Sequence, residues 1–270
     1  MTRRLTGATM SPTRDRVDMT TTTAVARTQR DPELPGQTVV VIGGSSGIGL
    51  ATARRARAEG ADVVLTGRHS ESLQSAALDL HARSSAVFDA NDPAALDAFF
   101  EHLEPPIDHV MVTAGGPYYA SLADMDLDEA RRAIEERLTL MLRIARHATG
   151  KVRPSGTLLF MIGTRGETGT GLGVAAAIYA AVPALAANLA LEIAPVRVNV
   201  IAAGFVDTPL SASLLGHDLE SRRDQLRTTL PIGRLVGADD VAALAVHIMA
   251  NSALTGATYD IDGGQQLLSA

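Results

Sequence analysis

Residues 39–60 read VVVIGGSSGIGLATARRARAEG, and this stretch decides the fold. Four consecutive β-branched residues end on a glycine, and an Ala/Arg segment of helical period follows. Gly43, Gly47 and Gly49 stand in a G-x-x-x-G-x-G spacing between the two. A glycine at 43 lets the chain turn sharply off the strand, and one at 47 lets backbone approach a pyrophosphate. Gly49 lets the helix pack close to the sheet, while the helix N-terminus offers free N–H groups to phosphate oxygens. The strand before and the helix after turn a common glycine pattern into a nucleotide-binding expectation.

The same alternation continues outward. Short apolar runs recur at 38–43, 62–67, 86–90, 109–115, 157–163, 196–204 and 257–263, separated by helical segments such as DEARRAIEERLTLMLRIARHA (128–148). Continuous apolar strands separated by helices imply a parallel sheet covered on both faces. The expectation is one doubly wound Rossmann-like α/β domain over 37–270, with a seven-stranded, mostly parallel sheet. Residues 1–36, rich in Thr and Arg and poor in large apolar side chains, are expected to form a disordered tail.

Composition narrows the function classes. A formal net charge of −6 gives no reason to expect nucleic acid or an anionic membrane as partner. Cysteine is absent, which removes disulfides, thiolate nucleophiles and Cys-ligated zinc. The seven histidines form neither HxxxH nor HxH, so no metal is expected. No secretory signal is evident, and the most apolar stretch, 172–191, carries many alanines and Pro183, which suits a buried helix. A cytoplasmic protein is expected.

Several separate motifs carry a resemblance to the short-chain dehydrogenase/reductase family, over about Gln37 to Gln266. GGSSGIG (43–49) resembles the family's TGxxxGIG loop, with Ile42 in place of threonine; TAGG (113–116) resembles its NAG turn. VRVNVIAAGFVDTP (196–209) resembles RVNxxxPGxxxT, with Ala203 for proline, and 231–264 resembles the C-terminal block. The resemblance implies a nicotinamide dinucleotide held by Gly43, Ser45, Ser46, Gly47, Ile48 and Gly49. It adds Asp89 and Ala90 at the adenine, Ala114 and Gly115 after the fourth strand, and Gly204, Val206 and Thr208 at the carboxamide end. At the end of the second strand, where NAD-preferring enzymes keep a carboxylate, the chain has Gly67 followed by Arg68. A guanidinium suits a 2′-phosphate, so NADP(H) is expected over NAD(H).

The family's chemistry rests on Asn, Ser, Tyr and Lys, the last two spaced YxxxK. Here the Asn position falls on Arg137, and the Ser position on Gly163 with Thr164 beside it. With VAAAIYAAVPALAANLALE (174–192) anchored on Glu192, the Tyr position falls on Ala175 and the Lys position on Tyr179. The rival register makes Tyr179 the catalytic tyrosine and puts Pro183 on the lysine site; neither yields YxxxK. Pro183 has no N–H for the Tyr179 carbonyl, so the helix is expected to kink or restart there. Candidate substitutes are Tyr179 with Arg137, Thr164, and Tyr118 or Tyr119 after the AGGP turn; alternatively, Tyr179 only fills the lysine's volume while Arg137 pairs with a carboxylate such as Glu136.

Three functions remain open: an NADP(H)-dependent oxidoreductase of carbonyls or alcohols with a non-standard acid, a dinucleotide-binding sensor without catalysis, and a non-redox lyase or isomerase. The lid-like segment 210–231 reads as a mobile amphipathic helix and hints at a partly apolar small-molecule substrate. The family's pairing through two long helices implies a homodimer or homotetramer.

Overall fold

The computed structural model describes residues 31–164 and 169–268. The chain divides between Asp31 and Pro32, and the unit from Pro32 onward holds every element of the fold. That unit starts earlier than the expected boundary at Gln37. Leu34 is fully buried, and its N–H donates to the Glu59 carbonyl at 2.9 Å. One apolar side chain among polar neighbours shows no period, which is why the sequence hid it. The expected tail otherwise falls on residues 1–30, outside the described residues.

Seven strands form one sheet: β1 (Thr38–Ile42), β2 (Asp62–Gly67), β3 (Ser84–Val87), β4 (Ile107–Val112), β5 (Val152–Gly163), β6 (Arg197–Ala203) and, after a small separate ladder of β7 (Val206–Asp207) with β8 (Val236–Gly237), β9 (Thr258–Ile261). Their order is β3-β2-β1-β4-β5-β6-β9, and every pair is parallel. The expected "mostly parallel" sheet is therefore wholly parallel among the described strands. β3 and β4 end before Asp89 and Thr113, so the candidate residues at these two places lie in the loops beyond the strands.

Both sheet faces are covered. On one, α3 (Pro93–His102), α4 (Leu127–Ala148) and α5 (Gly173–Glu192) bury Phe100, Ile144 and Val182 against Val110, Leu158 and Val200. On the other, α1 (Gly47–Ala58), α2 (Ser70–Asp79) and α8 (Ala238–Ala250) bury Ala53, Leu73 and Val241 against Val41, Met111 and Ile201. Successive strand side chains alternate between these two cores, which is why the strands read as unbroken apolar runs.

α5 runs unbroken through Pro183, so the expected restart does not occur. Burial of Ala175, Ile178, Val182, Ala186 and Leu189 along one stripe against the sheet supports the helix across the lost backbone bond. By length and composition α5 is also apolar enough to cross a membrane, but this stripe belongs to the core of the domain. The segment after β7 is two helices, not one: α6 (Pro209–Leu215) and α7 (Leu219–Thr229), with a 3-10 turn between. Arg223 of α7 ties the pair down, donating to Asp207 Oδ1 at 2.6 and 3.2 Å.

The N-terminal end of the sheet carries buried polar groups. Arg197 is 5% exposed, and its guanidinium donates to the carbonyls of Ser155, Ile248, Met249, Asn251 and Leu254 at 2.7–3.1 Å. It thereby supplies partners to carbonyls at and beyond the C-terminus of α8, which no backbone N–H of the helix can reach. His109 is 2% exposed, and its Nε2–H donates to Gln37 Oε1 at 2.6 Å. Burial, and then the nearby Arg197 charge, push its pKa down to about 3.

The depressed pKa sets the sign of a pH dependence. Above the ordinary histidine value both folded and unfolded chains keep His109 neutral. Between there and about pH 3 the unfolded chain takes a proton that the native state refuses, so stability falls with pH. From pH 7 to pH 5 the contribution is a loss of roughly 2 kcal/mol. Urea unfolding at the two pH values should show His109→Gln losing that much less than the parent; equal losses would refute the assignment.

Candidate active site

The cofactor-binding candidates lie where loops leave the C-terminal ends of β1, β4 and β6, the usual ligand position in an open parallel sheet. Gly43 has φ +97°, and a side chain there would meet Thr113 Oγ1 at 2.6 Å. At Gly49 a Cβ would overlap the Gly43 carbonyl oxygen, so α1 can approach the turn only without one. Thr113 fastens the two strand ends: its hydroxyl lies within 3.0 Å of the Gly43 carbonyl oxygen, to which it donates. Opposite Gly47 stand Thr208 Cβ and Cγ2, each 3.6 Å from where a Cβ would be, so the first loop faces the loop after β7.

These residues fit a dinucleotide. Ser46 begins α1 with no side-chain cap, and the first turn holds no acid, so its N–H groups are available to phosphate oxygens. Gly67 needs its lack of a side chain, since a Cβ would meet Ser45 Oγ at 2.9 Å. A side chain at 67 would therefore have to displace the Ser45 hydroxyl. Arg68 is exposed and pairs with no carboxylate among the described residues. Asp89 is exposed, with Oδ1 accepting the Asn91 N–H at 2.9 Å, while Ala90 beside it is buried. At the other end, Gly204 packs against Asp262 and Gln265, and Gln265 Oε1 accepts the Phe205 N–H at 2.9 Å. Val206 is buried in the small ladder, and Thr208 caps α6.

The chemistry-bearing candidates divide. Tyr179 and Gly163 come together: a Cβ on Gly163 would lie 2.6 Å from Tyr179 Cε2 and 3.1 Å from its hydroxyl oxygen. The tyrosine ring therefore occupies the space a serine side chain at 163 would need. Ala175, expected at the family's tyrosine position, is 2% exposed. Thr164 follows Gly163 and is partly exposed.

Arg137 joins the pair. Its guanidinium lies against Gly115 (φ +90°), Nη2 standing 3.1 Å from where a Cβ would be, with long bonds to the carbonyls of Ala114 (3.4 Å) and Gly116 (3.5 Å). Burial pushes its pKa down, and the nearby Tyr179 oxygen opposes that by favouring the charged form when ionised. The alternative pairing with Glu136 does not occur: Glu136 Oε2 accepts from Asn91 Nδ2 at 3.1 Å. Tyr118 stands apart, its hydroxyl donating to the Asp126 carbonyl at the start of α4. From Asp126 to Arg137 is about three helical turns, roughly 16 Å along the axis.

Sequence reasoning misses the complementarity of Gly163 and Tyr179, although a signal exists: a residue without a side chain and a large ring at the ends of neighbouring elements. Thr113 stands out in the sequence only as a departure from the family turn, yet it joins β1 to β4.

Residues 42–266 match the family model described as Enoyl-(Acyl carrier protein) reductase. The NADP-dependent (R)-specific alcohol dehydrogenase of Lentilactobacillus kefiri is 30% identical over 249 residues, covering 86% of this chain and 97% of that one. Among solved structures, the MalC Reductase/Diels-Alderase from Malbranchea aurantiaca superposes with TM-score 0.80 at 26% identity, covering 88% of this chain and 99% of that one. A small-chain dehydrogenase in complex with NADPH gives 0.73 at 27% identity, with 86% and 99% covered. The chain belongs to the short-chain dehydrogenase/reductase family, a family of oxidoreductases.

Packing at Gly163 is directly testable. In the parent, Gly163→Ser should cost about 1–3 kcal/mol of stability through overpacking against the Tyr179 ring. With Tyr179→Ala already in place the same change should cost under about 0.5 kcal/mol. Urea unfolding of the four chains measures the coupling, and additive effects would contradict the contact.

Proposed function

We propose that the protein is an NADP(H)-dependent oxidoreductase interconverting a carbonyl compound and an alcohol, with Tyr179 as proton donor and Arg137 as its charge partner. The observation that carries this reading is the joint placement of Tyr179, Gly163 and Arg137. Three altered family positions form one arrangement, in which a missing side chain makes room for a phenol and a guanidinium supplies the positive charge that lysine would bring.

When bound, the nicotinamide dinucleotide supplies the hydride. The α1 N-terminus, with Ser45 and Ser46, would hold its phosphates, and Arg68 a 2′-phosphate. Gly204, Val206 and Thr208 would orient the carboxamide end, and Asp89 with Ala90 would meet the adenine. A cation beside a phenol favours loss of its proton, so Arg137 would aid transfer from Tyr179 to a carbonyl oxygen. Thr164, next to Gly163, would hydrogen-bond the same oxygen. An NADP-dependent alcohol dehydrogenase and an NADPH-bound dehydrogenase among the similar proteins support the cofactor preference.

MalC is named a Diels-Alderase as well as a reductase, which supports keeping a non-redox use of the cleft as the second reading. The test is NADPH consumption over a panel of aldehydes, ketones and keto acids. Turnover with NADPH well above that with NADH is expected, and Tyr179→Phe should lower kcat/KM at least a hundredfold while NADPH binding stays within threefold. NADPH binding with no oxidation across the panel would favour a sensor; product formed without loss of nicotinamide absorbance would favour the second reading.

Self-association in the cytoplasm completes the proposal. On α5 the side away from the sheet presents Ala177, Ala180, Ala184 and Leu191 to solvent, an apolar stripe of helical spacing. Light scattering should give a dimer or tetramer mass, and a monomer mass would remove this part.

A further inference from the structure

We infer that Arg137 is an anion-recognition residue, and that the substrate carries a carboxylate on the carbon next to its reacting carbonyl. The inference rests on the oxidoreductase reading and adds a substrate class, the 2-oxo acids and their 2-hydroxy counterparts.

An unbalanced charge points to this role. A guanidinium withdrawn from water is costly unless an anion or several good hydrogen bonds compensate it. Arg137 has neither among the described residues. Its two bonds, 3.4 and 3.5 Å to the carbonyls of Ala114 and Gly116, are longer than a good N–H···O bond. The nearest acid in sequence, Glu136, is engaged by Asn91, and Glu135 is engaged by Arg131 at 2.9 Å. Arg137 is partly, not wholly, buried, so a ligand can still reach it. By contrast Arg197, which is buried deeper, has five carbonyl partners within 3.1 Å. Among the described residues, one withdrawn guanidinium is thus fully satisfied and the other, at the ligand-binding end of the sheet, has no anion.

Geometry then selects the anion. A guanidinium presents a planar fork that matches a carboxylate. Arg137 lies against Gly115 and the Tyr179 phenol against Gly163, each glycine three residues beyond the paired Val112 and Phe160 of the neighbouring strands β4 and β5. A carboxylate at one and a carbonyl oxygen at the other therefore suit a short substrate that carries them on adjacent carbons. In the balanced reaction the 2-oxo carbon gains the hydride of NADPH and its oxygen gains the Tyr179 proton, giving the 2-hydroxy acid and NADP+. Solvent returns the proton to Tyr179. An apolar remainder of the substrate would suit α6, which Thr208 caps and which exposes Leu210 and Leu214.

The experiment uses the full chain saturated with NADP+, in which a 2-oxo acid binds without reacting. Titration calorimetry compares 2-oxohexanoate with its methyl ester. The parent should bind the acid at least tenfold more tightly than the ester. Arg137→Gln should abolish that preference with ester binding within threefold of the parent, and Arg137→Lys should restore part of it. Thermal melts establish that both variants fold. No acid preference in the parent, or a preference that survives Arg137→Gln, overturns the inference. An Arg137→Gln defect confined to NADP+ affinity also overturns it, assigning the cation to the nucleotide. Failure of the oxidoreductase reading looks different: an Arg137-dependent acid preference with no NADPH oxidation sustains the recognition role and discards the reaction.

Discussion

The close approach of α1 to the turn after β1 is the constraint on which the site depends. Because Gly49 has no Cβ, the helix lies against the Gly43 carbonyl, and Thr113 bonds the same oxygen from the neighbouring strand. The helix N-terminus is thereby fixed over the sheet's edge, facing Thr208 across the loop. Backbone N–H groups held in place by packing bind phosphate without first being ordered, so the cost of organising the site is met during folding.

Around that fixed element the candidate reactive residues are fitted to one another by size. Gly163 and Tyr179 fit one another in volume, the phenol ring standing where a side chain at 163 would be, and Arg137 lies against Gly115 nearby on the next strand's loop. A phenol where lysine is usual would collide with a serine, and it does not collide with a glycine. Replacing Gly163 alone would leave a clash and replacing Tyr179 alone a gap, so these two have to be understood together.

Much of this was legible in sequence. Seven apolar runs gave the strands, because a strand covered on both faces shows no polar alternation, and the glycine spacing located the nucleotide end. Leu34 escaped because a lone buried residue has no period. The continuity of α5 through Pro183 escaped because tertiary burial of Val182 and Ala186 outweighs one lost backbone bond. Side-chain pairings were out of reach for a different reason. Glu136 and Arg137 adjoin in sequence, but neighbouring helix residues point in different directions, and Asn91 from another segment takes the acid.

Arg197 has a consequence at the opposite end of the molecule. By holding carbonyls from β5, α8 and the loop beyond it, this one side chain sutures the base of the domain. Rigidity and chemistry are thus lodged at opposite ends of the same strands. An ancestral chain built this way could exchange every reacting group at the rim, one substrate class for another, while the foundation kept its shape.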